Sequence, residues 1–440
     1  MCGVCLPEKE GAGYGRENRR GERTGMGERT GMGKRTGMGK RTGMGERIGM
    51  DEKINMGKSI DREMLRRMER EALEELLHYH EKSGKQKAKN MIRKMCGSYV
   101  PPEDLIFWPT GLIANVLAEN LEAWENKEEV LAALHAYFDR WIGRGMPLYY
   151  VDDTLCGVAL LILCEKTGEQ KYKNGADKMA EYLFELEENK TDCIGSIPYR
   201  PAQKNGHVYV DGIGMMCPFL SLYGVKYRSA KALDIAFRQI ENMLEYGMDE
   251  KTGLPYHGFQ YENRTKYGII GWGRAVGWLL MGMVGSLRYF QTDIQYWQEK
   301  AADVATNDFC IRFERLKEAF NRLAGSVKGY QRENGGFSWQ LEAAEGPEDS
   351  SATAMIASAI YTGTVLDGAK ESGGNYHTGR EVQPELEHLT ESAAVFLGGC
   401  EKNGKIYGCL GECMGFSQYP QAYEAYPWSL GTTLGFFLKL

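Results

Sequence analysis

The chain lacks any apolar run of about 18 residues, the length a membrane-spanning helix needs, so no transmembrane segment is expected. It also lacks a basic N-terminal region followed by an apolar core, so a standard secretory signal is not expected. No dense basic patch is present, and the net charge of the 440 residues is only −6. Nucleic acid is therefore not an expected partner, and an acidic ligand would have to meet local cations rather than a general field. The 11 cysteines are odd in number and scattered through apolar stretches, as at Cys156, Cys164 and Cys217. That pattern suits reduced, buried thiols in a cytoplasm better than a disulfide framework. Cys2 with Cys5 and Cys409 with Cys413 form close pairs, but no matching His/Cys set accompanies them, so no metal site is expected.

Residues 1–58 are poor in apolar mass. From residue 22 the hexads ERTGMG, ERTGMG, KRTGMG, KRTGMG and ERIGMD follow one another, with a decayed copy, EKINMG, behind them. With two glycines in most hexads and one methionine in each, the tract cannot offset the entropy of ordering its backbone, so 1–58 reads as a low-complexity, disordered segment and 59–440 as the folded domain. At 42% hydrophobic and 11% aromatic, the chain has enough apolar mass for one large domain or two ordinary ones.

From Ile60 onward the pattern is helix after helix. Helices that are apolar almost all round, at 154–164, 214–223, 275–287, 352–361 and 429–440, alternate with two-faced ones at 170–187, 229–246, 293–320 and 384–397. The first kind is buried on every side and the second on one face. With the first pair running from Ile60 to Leu121, about six pairs result by the usual start and stop signals. An inner buried helix followed by an outer half-exposed one predicts an all-α, (α/α)6 toroid. Strand-like segments are short and confined to connections, as at Cys193–Pro198 and Lys405–Cys409.

In such a ring the inner helices run one way, and the residues just before them line one mouth. Those residues include Tyr149, Tyr150, Asp152 and Asp153; Arg200, His207, Tyr209 and Asp211; His257, Trp272 and Arg274; Asp349; and Tyr426 with Trp428. Carboxylates, arginines, histidines and many aromatics together suit a carbohydrate: rings stack on sugar faces, carboxylates handle hydroxyls and protons, and arginine pairs a uronate. Asp211, in Val208-Tyr209-Val210-Asp211-Gly212, stands ahead of an apolar helix and reads as either an N-cap or a catalytic acid. Asp152 and Asp153 can both cap the next helix, Arg274 can be a structural fork to a carboxylate, and Trp272 and Trp278 can be core aromatics.

From about Trp108 to the C-terminus the chain resembles the unsaturated glucuronyl and rhamnogalacturonyl hydrolases, glycoside hydrolase families 88 and 105, and of the two it resembles family 105 more. The resemblance rests on Val151-Asp152-Asp153 with Gly157, Tyr209-Val210-Asp211-Gly212, Tyr256-His257-Gly258, Gly271-Trp272-Gly273-Arg274 with Gly277-Trp278, and Asp349-Ser350-Ser351-Ala352-Thr353-Ala354-Met355. It implies an (α/α)6 barrel that acts on an unsaturated uronyl oligosaccharide of the kind polysaccharide lyases leave, as in pectin degradation, without metal or organic cofactor. Carried over by motif, Asp211 is the general acid and Asp152 the second carboxylate, with Asp153 its rival. His257, Arg274 and Arg200 would bind the sugar, and Trp278 and Tyr209 would stack on it, with Trp272 behind. Ala275-Val276, where the family commonly has Gly-Asn, and Tyr209, where a tryptophan is usual, depart from the pattern. A sugar epimerase would need two histidines facing the mouth, and a non-catalytic sugar-binding protein would have no use for the Asp152/Asp211 pair.

Overall fold

The alternation of apolar and two-faced helices becomes two concentric rings. The structure, a computed structural model, describes residues 60–79, 84–97, 104–190, 194–200, 206–299, 304–368, 384–411 and 422–440, all within one unit spanning Met56–Leu440. The repeat tract read in 1–58 lies outside the described residues. In chain order the helices are α1 (Arg62–His78), α2 (Gly84–Met95), α3 (Trp108–Glu119), α4 (Lys127–Ile142), α5 (Gly157–Thr167), α6 (Gln170–Lys190), α7 (Val210–Tyr227), α8 (Ala230–Tyr246), α9 (Gly273–Gln291), α10 (Ile294–Glu299), α11 (Val304–Lys328), α12 (Ser350–Gly368), α13 (Pro384–Cys400) and α14 (Pro427–Phe437). The strands are β1 (His207–Tyr209), β2 (Gly258–Gln260), β3 (Lys266–Tyr267), β4 (Glu401–Lys402), β5 (Lys405–Ile406), β6 (Cys409–Leu410) and β7 (Tyr423–Glu424).

Among the described residues, α3, α5, α7, α9, α12 and α14 form the inner ring, each packing on the next, and α14 closes the circle on α3. Outer helices α4, α6, α8, α11 and α13 back α3, α5, α7, α9 and α12 in turn. The sixth backing helix is α1, which packs behind α14, so the two ends of the domain complete one hairpin. Pairing α1 with α3, as sequence order suggests, misses this closure. The burial pattern follows: α7 buries Val210, Ile213, Met215, Met216, Phe219 and Leu220, whereas α8 buries only the face of Leu233, Ala236, Phe237, Ile240 and Met243. Each such large apolar side chain contributes about 1.5–3 kcal/mol of burial free energy.

Local signals set the helix ends. Asp61 caps α1, its side chain accepting from Met64 N at 2.6 Å, and Ser229 caps α8. Gly168 ends α5 in the left-handed region, φ +71°, as its position after Thr167 predicts. Helix α7 starts earlier than its apolar run: its N-cap is Tyr209, so Asp211 lies inside the first turn and is not the N-cap. Within the helix, a Cβ at Gly214 would lie 2.5 Å from the Trp278 ring and 2.7 Å from the Trp278 carbonyl oxygen, so this glycine allows a close contact between α7 and α9. The stretch 293–320 is also two helices, α10 and α11, with residues 300–303 outside the description.

The inner-helix starts converge. Trp108 opens α3 and lies 5.1 Å from Trp428 at the start of α14, and Arg274 in the first turn of α9 reaches Asp349, which directly precedes α12. Along the ring axis Leu112, Leu155, Met215, Trp278, Met355 and Trp428 form an apolar cluster separate from the main core. At the opposite end, Arg288 and Tyr289 near the end of α9 hydrogen-bond to Glu119 at the end of α3, which lies across the ring. Beside them Lys439 donates to Ser358 Oγ and Thr362 Oγ1 of α12, at 2.9 Å each. Burial, helped by Arg288, lowers the Lys439 ammonium to about 8.

Candidate active site

A three-stranded antiparallel sheet, β1-β2-β3, carries the first part of the site into the mouth. Tyr209 pairs with Gly258, and Val210 N donates to the His257 carbonyl at 2.9 Å. Gly258 makes this possible, because a Cβ there would lie 2.1 Å from the Val208 carbonyl oxygen. The ladder sets the residue before Gly258 beside the residue after Val210. His257 Nε2 consequently lies 3.0 Å from Asp211 Oδ2. His257 is buried, while the Asp211 side chain keeps 15% of its surface accessible, enough to meet a ligand.

Rings hold this imidazole in place. Tyr209 stacks on His257 at 4.4 Å and lies parallel to His207 at 5.5 Å; His207 in turn stacks on Tyr267 at 4.0 Å. The Trp272 indole meets His257 edge to face at 4.9 Å from behind. Burial, and then the nearby His257, lowers the His207 pKa. Tyr209 thus presents its ring to His257 rather than standing open as a platform.

The second carboxylate comes from a 3₁₀ turn, Val151–Thr154, ahead of α5. Asp152 and Asp153 are adjacent in sequence and face different partners. Asp153 Oδ2 accepts from Tyr149 N and Tyr150 N at 2.6 and 3.0 Å, which closes the turn. Asp152 Oδ2 accepts from the Tyr199 hydroxyl at 3.1 Å and lies 3.8 Å from the Arg200 guanidinium. Arg200 is itself stacked on Tyr150 at 3.9 Å and lies over Tyr199 at 5.1 Å. Burial holds the Asp152 carboxyl above the ordinary aspartate range; Arg200 and the Tyr199 hydrogen bond oppose it, and the charge of Asp211 adds to it. Burial, then Asp104 and Asp152, pushes Asp153 well above that range.

Arg274 and Trp278 belong to the wall and the floor. Arg274 is 3% exposed. It donates to the Leu410 and Gly411 carbonyls at 2.7 and 2.9 Å, and to Asp349 Oδ2 at 3.4 Å. Asp349 Oδ1 accepts from Ser351 N, Ser351 Oγ and Leu410 N. The guanidinium therefore bolts α9, α12 and β6 together. Trp278 is 1% exposed, edge-on to Trp108 at 5.8 Å, within the axial cluster. The fold thus brings Asp211, His257, Tyr209 and Trp272 into contact and sets Asp152 with Arg200 within electrostatic reach of them. Tyr199, Asp104 and Trp108 join the neighbourhood without having been singled out in the sequence. Among the described residues, no three His, Cys, Asp or Glu side chains are grouped to hold a metal ion, and no helix is long and apolar enough to cross a membrane.

The fold is an (α/α)6 ring of the six-hairpin type, and its mouth carries two carboxylates and an imidazole. Residues 79–373 match Glycosyl Hydrolase Family 88, and the chain belongs to that family. It is 24% identical over 301 residues, covering 68% of this chain and 77% of the relative, to the unsaturated rhamnogalacturonyl hydrolase YesR of Bacillus subtilis. In structure it is similar to a possible family 105 member from Klebsiella pneumoniae, with a TM-score of 0.66 at 16% identity over 86% of this chain and 93% of the other. It is also similar to the unsaturated glucuronyl hydrolase, responsible for glycosaminoglycan degradation, of Bacillus sp. GL1, with a TM-score of 0.56 at 16% identity over 84% and 96%. The protein is a glycoside hydrolase of the unsaturated glycuronyl hydrolase group.

Proposed function

We propose that this enzyme releases a Δ4,5-unsaturated uronic acid from the non-reducing end of lyase-generated oligosaccharides, with the unsaturated rhamnogalacturonan disaccharide as first substrate. The observation that carries the reading is the Asp211–His257 pair at the mouth, with Asp152 close enough for the two carboxylates to feel each other. The likeness to an unsaturated rhamnogalacturonyl hydrolase supports the choice of substrate.

Asp211 delivers its proton to C4 of the enol ether, and the cation at C5 is captured by water. The water gives its proton to the Asp211 carboxylate, which restores the acid. Asp152, anchored by Tyr199 and Arg200, orients that water and the sugar. The hemiketal formed at C5 rearranges, the ring opens and the glycosidic bond is lost, so the net change is addition of one water. This route differs from ordinary glycoside hydrolysis, in which two carboxyl groups flank the scissile bond and the proton goes to oxygen. His257 fixes Asp211 and contacts the sugar. Arg274 shapes the wall, and Trp278 with Trp108 forms the apolar floor under the ring.

The test uses the ultraviolet absorbance of the C4–C5 double bond. The purified protein is expected to abolish it on unsaturated rhamnogalacturonan disaccharide. Activity only on glycosaminoglycan lyase products would move the substrate to the glucuronyl class. Unchanged absorbance across both sets of lyase products would sink the proposal.

A further inference from the structure

Helix α2, between α1 and α3, has its two faces reversed relative to the helices of the ring. Ala88, Met91, Ile92 and Met95 recur at the i, i+3, i+4, i+7 spacing of one helical stripe. In the ring such a stripe faces the core. Here it faces water: Met91 is 65% exposed, Ile92 61% and Met95 80%, and Ala88 is exposed as well. The half-buried residues of the same stretch, Asn90 and Arg93, stand on the opposite side of the helix, so the polar face is the one turned toward the protein. Gly97, at φ +64°, closes the turn after the helix, and a Cβ there would meet nothing within 4 Å. Helices of about 12 residues are marginal in water and are usually held by packing an apolar face, yet α2 leaves that face in solvent.

The charges around the stripe select its partner. Every ionised residue of 84–95 is basic: Lys85, Lys87, Lys89, Arg93 and Lys94. Lys89 borders the stripe on one side and Lys94 on the other, and both are exposed. The chain as a whole is acidic, at −6, so this helix is a local reversal of sign. A second copy presenting the same helix would set like charges against each other. A bilayer with anionic headgroups supplies both things the helix calls for. Its acyl boundary takes up methionine and isoleucine, and its acidic headgroups come within reach of lysines at the stripe's borders. We infer that α2 is an interfacial helix that lays the stripe of Ala88, Met91, Ile92 and Met95 on an anionic membrane surface. At about 1.5 Å per residue the helix is too short to span a bilayer core of about 30 Å, so it lies in the plane of the interface. With one short helix as its anchor the attachment is weak and reversible.

Flotation of the full-length protein tests this, with vesicles of phosphatidylcholine alone and of phosphatidylcholine containing about one third phosphatidylglycerol. At low salt the anionic vesicles should carry at least about tenfold more protein than the neutral ones, and about 0.5 M salt should remove most of it. Two sets of substitutions separate the parts of the surface. Lys89→Glu with Lys94→Glu, and independently Met91→Ser with Ile92→Ser and Met95→Ser, should each cut the bound fraction about fivefold or more. The melting temperature should stay unchanged, because these side chains are exposed. Using both sets keeps the test readable if one of them weakens the helix. Native protein that stays off the anionic vesicles overturns the inference. Binding that both sets leave intact does so too, since the attraction then lies elsewhere in the chain. Self-association that the Met91, Ile92 and Met95 substitutions abolish, without vesicle binding, would make the stripe a contact between copies instead. None of these outcomes depends on which sugar the enzyme hydrolyses.

Discussion

His257 Nε2 and Asp211 Oδ2 are 3.0 Å apart, joined across 46 residues of sequence by a two-strand ladder. Asp211 is therefore held by the connection between α8 and α9 as much as by its own helix. Asp211→Asn should lower kcat by about 10²–10⁴, the usual contribution of a general acid, with the melting temperature little changed. His257→Ala should also lower kcat, by less, since the acid survives but is no longer held. Loss of the ultraviolet double-bond signal under single-turnover conditions measures both. Full turnover by Asp211→Asn would move the acid elsewhere.

Arg274 offers a contrast. Its guanidinium is bound to two carbonyls and a buried carboxylate. Arg274→Ala should destabilise the fold by about 3–5 kcal/mol, because Asp349 is left buried without its cation. Arg274→Lys should recover little, since an ammonium cannot span the same acceptors as a fork. Denaturant melting decides: a variant with native stability and a raised KM would make Arg274 a sugar ligand instead.

Gly258 carries the ladder. Gly258→Ala drives a methyl group into the Val208 carbonyl, so β1 and β2 must part and His257 must leave Asp211. A large loss of kcat with a smaller loss of stability is expected, about 1–3 kcal/mol as for other overpacked sites. Kinetics and thermal melting of the same preparation check the two parts together.

Lys439 gives a pH test remote from the chemistry. Its folded pKa, about 8, lies below the ordinary 10.5, so between these values the unfolded chain binds more protons than the folded one. Stability from this group therefore rises with pH from about 8 to 10.5, and the cost of burying the charge is fully present below about 8. Lys439→Met should raise stability at neutral pH and flatten that rise. Denaturant midpoints taken across the window show it; an unchanged slope would contradict the assignment.

The ring was legible because its cause is repetitive. Helices apolar on all sides and helices apolar on one side leave different patterns, and the alternation runs the length of the domain. Of the small strands only the stretch 405–409 was, which holds β5 and the start of β6, whereas 194–198 forms no strand and β1 to β3 were not read, since pairings of two or three residues leave too little alternation. The mouth residues followed from their places before the inner helices, but not what each of them touches. Arg274 is equally suited to a sugar carboxylate and to Asp349, which lies 75 residues away, and only the fold brings the second within reach. Tyr199 takes its part from a hydrogen bond to Asp152, 47 residues distant, and the described residues around it, 194–200, form no strand or helix to mark it. Asp153 and Asp152 are indistinguishable as neighbours in sequence; the backbone N–H groups of Tyr149 and Tyr150 separate them.

The bonds from Arg288 and Tyr289 to Glu119, with Lys439 beside them, tie opposite sides of the inner ring together at the end away from the mouth. For the proposed reaction, side chains across that end leave the mouth to serve for both entry and exit, so a chain terminus would be what meets Asp211 and the released sugar acid would leave by the opening that fresh substrate enters. Competitive inhibition by that acid is the kinetic mark expected.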